Sequence, residues 1–319
     1  MTTAIDFCIA WEWEHDEEFI AILARKCRER GLTTCVASPG NLPLVEAQVF
    51  AGELSFAVFF DRASDTNPAF LPLAAGIARG NTLFVNHPPD VERAINKAAM
   101  HLEFSSRGID VPYTIILPVF EKDDPTEEIL RFENVGIPFI VKPAHGGGGL
   151  GVLLGAKTLA EVLAARKDFA HDQILIQENI VPRMLEGRKA WFRAYYVGGD
   201  TLLCWWDPEL HVYERVLPAE AARWGLGRME TIARLIHEIA KLDFFSTEIA
   251  LTDAMRYVSV DYVNDQCDMR LKSRAAKGVP DDVVESVCDS LAGFVARAVR
   301  ERRSAPPVCP PCPEPKPAP

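Results

Sequence analysis

A run of glycines between two apolar segments limits the folds open to this chain more than any other feature. Residues 146–151 include five glycines, and they lie between the apolar runs 139–143 and 152–154. Glycines let a backbone lie against a polyanion and point its N–H groups at phosphate oxygens. Walker and dinucleotide-binding loops open a helix, whereas this loop joins two predicted strands. A plain hairpin turn is the alternative, but four consecutive glycines cost backbone entropy there. We therefore predict a β-loop-β flap that covers a nucleotide.

The first third of the chain predicts alternating strands and helices. Apolar runs at 5–10, 33–37, 54–60 and 82–85 predict four strands. We expect Asp16 to cap the first helix and Gly31 to end it. This alternation is typical of a doubly wound parallel sheet. The loop 61–65 then lies at the carboxyl edge of the sheet, where ligands of open α/β folds bind, and we expect it to contact a substrate in preference to His15.

After residue 86 the pattern changes from alternating units to hairpins. Pro88 and Pro89 predict the start of a helix that continues to about Gly108. Further strands are predicted at 112–117, 139–143, 152–154, 174–178, 191–197, 201–206, 247–251 and 257–262. Helices are predicted at 231–241 and after Pro280. We therefore predict an N-terminal α/β domain over 1–86, two α+β subdomains over 87–173 and 174–303, and an extended proline-rich tail over 304–319.

Composition excludes several classes of protein. The chain has 34 basic and 45 acidic residues, a net charge of −11, which argues against a dedicated binder of nucleic acid or anionic membranes. No apolar run approaches the ~18 residues of a membrane span, and the N-terminal sequence lacks the pattern of a signal peptide. We therefore expect a cytoplasmic protein whose cysteines are mostly reduced. Cys309 and Cys312 have CxxC spacing, but no second pair or nearby histidine completes a zinc site.

Two further groups of residues suit a nucleotide and its metal. The strand that starts at Ile174 ends after Gln177 in an edge whose main-chain groups are suited to meet adenine; its residues are Glu178, Asn179, Ile180 and Val181. Glu186 is a candidate for ribose contact, and a solvated loop carboxylate is an equal alternative. Glu248, Asp261 and Asn264 lie on two predicted neighbouring strands. Hard oxygen donors of this kind suit Mg²⁺, which shares phosphate oxygens with few protein ligands.

The order of these motifs along the chain resembles that of the ATP-grasp family. Within that family, its motifs most resemble those of carboxylate–amine ligases such as glutathione synthetase, D-alanine–D-alanine ligase and ribosomal-protein glutamate ligases. The resemblance runs from about residue 86 to residue 270, and the preceding α/β unit resembles the domain that usually comes before the grasp. It implies an α/β protein in which a doubly wound N-terminal domain is followed by two α+β subdomains that clasp ATP.

The resemblance implies a role for each matching residue. Lys97 and Lys142 match the two lysines that reach ATP phosphates, and the flexible flap is matched by Gly146, Gly147, Gly148 and Gly149. The adenine hinge is matched by Gln177, Glu178, Asn179 and Ile180, and the Mg²⁺ ligands by Glu248, Asp261 and Asn264. Three positions depart from the family pattern. Asn96 replaces an aspartate, two residues instead of one separate Asp261 from Asn264, and Trp191 stands about where some members have a ribose-binding aspartate.

The activity implied by the resemblance is Mg²⁺-dependent ligation. A substrate carboxylate attacks ATP to give an acyl phosphate, and an amine captures it; the partners are small-molecule or peptide carboxylates and amines, and family habit implies a homodimer. Guanidinium groups bind carboxylate and phosphate in bidentate fashion. The candidates to stabilise the acyl phosphate are therefore Arg193, Arg215 and Arg270. Two alternatives stay open. One is a kinase acting on a hydroxyl, and the other is a nucleotide-binding scaffold that recruits a partner through its proline-rich tail.

Overall fold

The computed structural model describes residues 2–121, 132 and 134–304 of the chain. The predicted tail, with Cys309 and Cys312, lies outside the described residues, except for Ser304, which ends the last helix. Across the part of the chain that the structure describes, no helix has the length and apolar character needed to span a membrane.

The N-terminal unit is a four-stranded parallel sheet with helices on both faces. Its strands are β1 (Thr3–Trp11), β2 (Thr34–Ala37), β3 (Leu54–Arg62) and β4 (Leu83–Val85), in the order β2-β1-β3-β4. Its helices are α1 (Glu17–Glu29), α2 (Leu42–Phe50) and α3 (Leu71–Ala78). One face of the sheet packs on α1, and the other packs on α2 and α3. The predicted doubly wound sheet is confirmed.

The predicted cap of α1 is wrong, although its end is confirmed. Gly31 follows the helix with φ +74°, the left-handed conformation that glycine adopts without strain. Asp16 forms no hydrogen bond with the helix N-terminus. It is buried and accepts hydrogen bonds from Arg62 Nε (2.6 Å) and Nη2 (3.0 Å) instead. The buried guanidinium is a stronger partner for the carboxylate than the exposed end of a helix would be.

The second sheet has four antiparallel strands and carries the glycine loop. It comprises β5 (Thr114–Leu117), β6 (Phe139–Pro143), β7 (Leu153–Ala156) and β8 (Ile174–Glu178), in the order β5-β8-β6-β7. Helices α4 (Pro88–Ala94) and α5 (Lys97–Ser106) precede it, and α6 (Leu159–Asp168) lies between β7 and β8. The glycine loop joins the antiparallel strands β6 and β7, as predicted.

The single helix predicted from Pro88 to about Gly108 is wrong, because the structure has two. Asn96 lies between α4 and α5 in an extended conformation, and its side chain accepts a hydrogen bond from the N–H of Ala99 (2.9 Å). Asparagine is among the residues preferred at this position, since its oxygen satisfies a backbone donor of the new helix. A second helix therefore begins at Lys97.

The third sheet has five antiparallel strands. They are β11 (Trp191–Val197), β12 (Asp200–Asp207), β13 (Val212–Arg215), β14 (Phe244–Leu251) and β15 (Tyr257–Asn264), in the order β13-β12-β11-β14-β15. A short hairpin of β9 (Met184–Leu185) and β10 (Arg188–Lys189) precedes them. The associated helices are α7 (Pro218–Trp224), α8 (Arg228–Ala240) and α9 (Asp281–Ser304).

The strand pairing and the shared core concern two predicted domain limits, the boundary at residue 173 and the end of the N-terminal domain. A boundary at residue 173 would cut through the second sheet, because β8 pairs with both β5 and β6. The helix α9 shares one core with α1, the first sheet and the third sheet. We therefore propose a subdomain boundary after Glu178, and an N-terminal domain that packs against the C-terminal helix.

Candidate active site

Lys142 reaches from the second sheet to the third. Its Nζ donates a hydrogen bond to the Val260 carbonyl on β15 (3.2 Å) and lies 5.3 Å from the centre of the Tyr262 ring. The side chain is buried, and burial lowers the pKa of its ammonium group to about 8. Asp261 and Glu248 raise the pKa, whereas Lys97 lowers it further. We refer to this junction of the second and third sheets as the cleft, and a buried cation held there is suited to meet an anion.

Lys97 and the glycine loop lie at the same end of that cleft. The N–H of Lys97 donates to the Ala144 carbonyl (2.8 Å), and its ammonium group donates to the Gly146 carbonyl. Gly146, Gly148 and Gly149 have φ values of +102°, +62° and +78°, which other residues adopt with strain. Gly147 lies between them without a positive φ, and all four glycines are exposed. The structure therefore brings both predicted phosphate lysines to the predicted flap.

A row of charged residues crosses the third sheet opposite Lys142. Arg193 on β11 pairs in register with Glu248 on β14, which pairs in register with Asp261 on β15. The guanidinium of Arg193 donates to Glu248 Oε1, and the indole Nε1 of Trp191 donates to Oε2 (3.0 Å). Burial opposes the charge of Arg193, but Glu248 raises the pKa of its guanidinium above the ordinary value. Arg193 therefore holds the carboxylate of Glu248 in place.

A β-bulge corrects the unusual spacing of Asp261 and Asn264. On a regular strand, residues three apart point to opposite faces of the sheet. Here Asn264 pairs with Ser246 and Asp261 with Glu248, so three steps along β15 match two steps along β14. The extra residues are accommodated by register shifts on both sides of the Glu248–Asp261 pair, as in a bulge. The register therefore makes Asp261 and Asn264 the cross-strand neighbours of Glu248 and Ser246.

The donor chemistry of these residues suits Mg²⁺ in part. The carboxylate of Asp261 accepts no hydrogen bond from any described residue, whereas both oxygens of Glu248 are engaged. Within residues 2–121, 132 and 134–304, no three His, Cys, Asp or Glu side chains are grouped closely enough to hold a metal ion. The predicted set has two carboxylates and one amide. Its oxygen donors match the preference of Mg²⁺, although Glu248 is already bonded to Arg193 and Trp191.

The predicted adenine hinge has one buried and one exposed part. Gln177 is 1% exposed, and its Nε2 donates to the Tyr262 hydroxyl (2.7 Å) and to Thr114 Oγ1 (2.9 Å). The N–H of Glu178 donates to the Tyr113 carbonyl (2.8 Å). Asn179 is exposed, and Ile180 is buried in a small apolar cluster with Ala250 and Val258. Gln177 thus joins the two sheets of the cleft, and the edge that follows it stays open to solvent at Asn179.

Two of the predicted site residues, Glu186 and Arg215, are engaged away from the candidate site. Glu186 is exposed and forms an ion pair with Arg223. Arg215 lies in the same cross-strand row as Arg193, two strands away, and pairs with Asp282 of α9 (2.8 Å). Among the described residues, no hydrogen bond or ion pair joins either side chain to Lys142, Glu248 or Asp261.

Arg270 lies beside the N-terminal unit. Its guanidinium bonds to Asp268 (2.7 Å) and lies 5.5 Å from the centre of the Trp13 ring. Nearby, Arg62 of the predicted substrate loop donates to the Cys267 carbonyl (3.0 Å). Burial, with Asp65 as a neighbour, raises the pKa of Asp265. Arg270 and the loop 61–65 therefore approach each other where the carboxyl edge of the first sheet meets the end of β15.

Tyr262 and His101 are site residues that the sequence reasoning missed. His101 Nδ1 lies 2.8 Å from the Tyr262 hydroxyl oxygen, which also accepts the hydrogen bond from Gln177. Burial and the nearby Lys142 lower the pKa of His101 to about 4, so the imidazole is neutral near pH 7. Tyr262 adjoins Asp261 in sequence, which is the one signal that could have pointed to it. The tyrosine supports Lys142 and ties α5, β8 and β15 together.

The fold of this chain matches solved structures along most of its length. The structure matches a RimK domain protein ATP-grasp from Sphaerobacter thermophilus DSM 20745 with a TM-score of 0.60 and 20% identity, over 90% of this chain and 99% of that one. The chain has the ATP-grasp fold. The ATP-grasp ligase PsnB, complexed with minimal precursor, Mg and ADP, also matches, with a TM-score of 0.60 and 14% identity over 91% of this chain and 98% of that one.

A third solved structure with this fold is that of a different ligase. D-alanine–D-alanine ligase from Bacillus anthracis, complexed with ATP, matches with a TM-score of 0.58 and 12% identity over 94% of this chain and 99% of that one. No protein-family model and no curated protein matches the sequence. The predicted resemblance is therefore confirmed at the level of the fold, and the site residues stay predictions.

Proposed function

We propose that this protein is an ATP-dependent ligase that activates a carboxylate as an acyl phosphate for capture by an amine. The observation that carries the proposal is the arrangement across one cleft. Lys97, Lys142 and the glycine loop lie on one side, and the row of Arg193, Glu248 and Asp261 lies on the other. Phosphoryl transfer depends mainly on positioning and charge neutralisation, which these two groups are suited to supply.

The substrate class is proposed from the structural neighbours. One PsnB structure contains a precursor peptide with AMPPNP, and MdnC from Microcystis aeruginosa MRC is bound with its precursor peptide MdnA. A peptide or amino-acid carboxylate is therefore our first choice of acceptor for the phosphoryl group, with a second amino group as nucleophile.

Each residue has a proposed part in the reaction. The ammonium groups of Lys97 and Lys142 bind phosphate oxygens of ATP, and the glycine N–H groups cover them. Asp261, Asn264 and Glu248 would hold Mg²⁺, which would supply positive charge next to the transferred phosphoryl group. Arg193 is a positioning residue that orients Glu248. Arg270 is the arginine proposed to contact the substrate, because it lies by the carboxyl edge of the first sheet.

The proposal is tested by binding and then by trapping. Calorimetric titration of ATP, with and without Mg²⁺, should show micromolar, Mg²⁺-dependent binding to the wild type and at least a tenfold loss for Lys142→Ala, since hydrogen bonds to charged groups contribute about 1.5–3 kcal/mol. Lys189→Ala is the matched control, because that lysine pairs with Glu209 on the surface. Unchanged binding to Lys142→Ala would contradict the site.

The class of reaction is then decided by a chemical trap. Hydroxylamine is added with ATP, Mg²⁺ and a panel of amino acids and peptides. A ligase gives hydroxamates, because hydroxylamine captures the acyl phosphate. A phosphorylated product that is stable to hydroxylamine identifies a kinase, and Mg²⁺-dependent binding without any turnover on the panel supports the scaffold alternative.

A further inference from the structure

A groove lies on the N-terminal unit, at the edge of the first sheet opposite the carboxyl edge. It encloses about 430 Å³ between the ends of α2 and α3 and the start of β3. Phe50, Phe56 and Ile77 supply its apolar surface, and Arg79 supplies a cation. Its floor is built by the amino end of β3, so it belongs to a surface separate from the cleft of Lys142.

The aromatic side of the groove is open to solvent. Phe50 is 46% exposed although it is a large apolar residue, and the Arg79 guanidinium lies 5.1 Å from the centre of its ring. Gly76 lines the same wall, where a Cβ would meet Val49 at 3.1 Å, so the glycine lets the two helices approach closely. A flat ring beside a planar cation is the surface on which proline rings dock in aromatic-lined grooves.

The C-terminal helix ends beside this groove. In its last turn Arg302 donates a hydrogen bond to the carbonyl of Asn81, and Asn81 lines the groove. The next residue, Arg303, pairs with Asp6 of β1 (2.6 Å). These two contacts fix the last turn of α9 against the N-terminal unit. The helix therefore ends, two residues after Arg302, on the side of the groove that Asn81 lines.

The segment that follows has the composition of a groove-binding peptide. Eight of the fifteen residues from 305 to 319 are proline. Such a composition favours the polyproline II conformation, which rises about 3.1 Å per residue and therefore spans roughly 45 Å over this length. We propose that residues 305–319 bind in the groove of Phe50 and Arg79 on the same chain.

Attachment to α9 favours this occupant over others. A segment joined by a short linker has an effective concentration in the millimolar range at a neighbouring site, so a weak contact suffices to fill it. A high proline content also reduces the entropy lost on binding, because the proline ring fixes φ in the free segment as well. The segment carries Glu314, which complements the charge of Arg79, and also Lys316, so its side-chain charges balance and the aromatic contact with Phe50 is the main expected interaction.

Hydrogen–deuterium exchange tests the proposal on the full chain. We compare the chain with a variant that ends at Ser304. Amides of 49–56 and 76–82 should exchange about tenfold faster in the shortened variant, as expected when a weak contact at millimolar effective concentration is removed. A synthetic peptide of residues 305–319, added at millimolar concentration, should restore the slow exchange. A peptide with every proline replaced by alanine should not restore it.

Substitutions in the groove separate binding from a change in folding. Phe50→Ala in the full chain should give the same fast exchange at 76–82 as the shortened variant, and added peptide should not reverse it. Leu44→Ala is the matched control, because Leu44 is 63% exposed on the same helix and lies outside the groove. Equal exchange in the full and shortened chains would overturn the proposal. Protection that grows with protein concentration would also overturn it, since the occupant would then be the tail of a second copy.

Discussion

The low pKa of Lys142 predicts that ATP binding takes up a proton. Burial lowers the pKa of this ammonium group to about 8 in the protein without nucleotide. Phosphate oxygens within hydrogen-bond distance favour the charged form, so binding should return the pKa to at least its ordinary value of about 10.4. Near pH 8.5 the free protein therefore holds a partly deprotonated lysine, and the complex holds a protonated one.

The size of the effect follows from the two pKa values. A group with a pKa of about 8 is about one-quarter protonated at pH 8.5 and about nine-tenths protonated at pH 7.0. Lys142 should therefore take up about 0.75 proton on binding at pH 8.5 and about 0.1 proton at pH 7.0. Because only the protonated fraction is competent to bind, the affinity for ATP should fall about fourfold between pH 7.0 and pH 8.5.

Calorimetry in buffers with different ionisation enthalpies measures the proton uptake directly. The apparent binding enthalpy at pH 8.5 should depend on the buffer, and at pH 7.0 it should depend on it far less. Lys142→Arg is the matched variant, because guanidinium stays charged at both pH values, and it should abolish the uptake at pH 8.5. Equal heats in all buffers for the wild type would refute the reasoning. Uptake that persists in Lys142→Arg would also refute it, since another group would then be the proton acceptor.

Three more predictions concern stability. Between pH 8 and about 10.4, Lys142 holds more protons in the unfolded chain than in the folded one. The free energy of unfolding of the wild type should therefore rise with pH through this range, by up to about 3 kcal/mol relative to Lys142→Met. Urea titrations at pH 7.5 and 10 measure this rise. Asp16→Asn leaves Arg62 buried without its counter-charge and should cost about 3 kcal/mol, whereas Glu14→Gln on the surface should cost under about 0.5 kcal/mol in the same titration. Gly151→Ala should lower the melting temperature, because φ is +73° and a Cβ would lie 2.3 Å from the Phe169 ring; Gly147→Ala, which meets open space, should leave it nearly unchanged.

The sequence was a good guide to sheets and a poor one to individual polar contacts. Apolar runs and the glycine loop predict the parallel unit, the flap and the strands that carry Lys142, Glu248 and Asp261, because periodicity reports which segments are buried. The partner of Asp16 could not be predicted, since Arg62 lies 46 residues away in the chain. Local propensity favours a cap, and a buried guanidinium outweighs it in the folded protein.

The spacing of Asp261 and Asn264 shows the same limit within the candidate site. From sequence alone, three steps along a strand place the two side chains on opposite faces. Only the register with β14 reveals the bulge that makes Asn264 the cross-strand neighbour of Ser246, two residues from Glu248. For Arg193 the position was predicted from the sequence but the partner of its side chain was not. It lies at the predicted place on β11, yet its guanidinium is bonded to Glu248 and is therefore not available as a free ligand for a substrate.

The two sheets of the cleft are joined by contacts of different kinds, and this bears on what ATP would change. Lys142 joins them through a hydrogen bond to the Val260 carbonyl, which phosphate oxygens would compete for. Gln177 joins them through the buried hydroxyl of Tyr262, which is also held by His101. The second connection contains no group that ionises near pH 8, because burial raises the pKa of Tyr262 and lowers that of His101. Lys142 is therefore free to exchange its partner for a phosphate while Tyr262 keeps the two sheets in register.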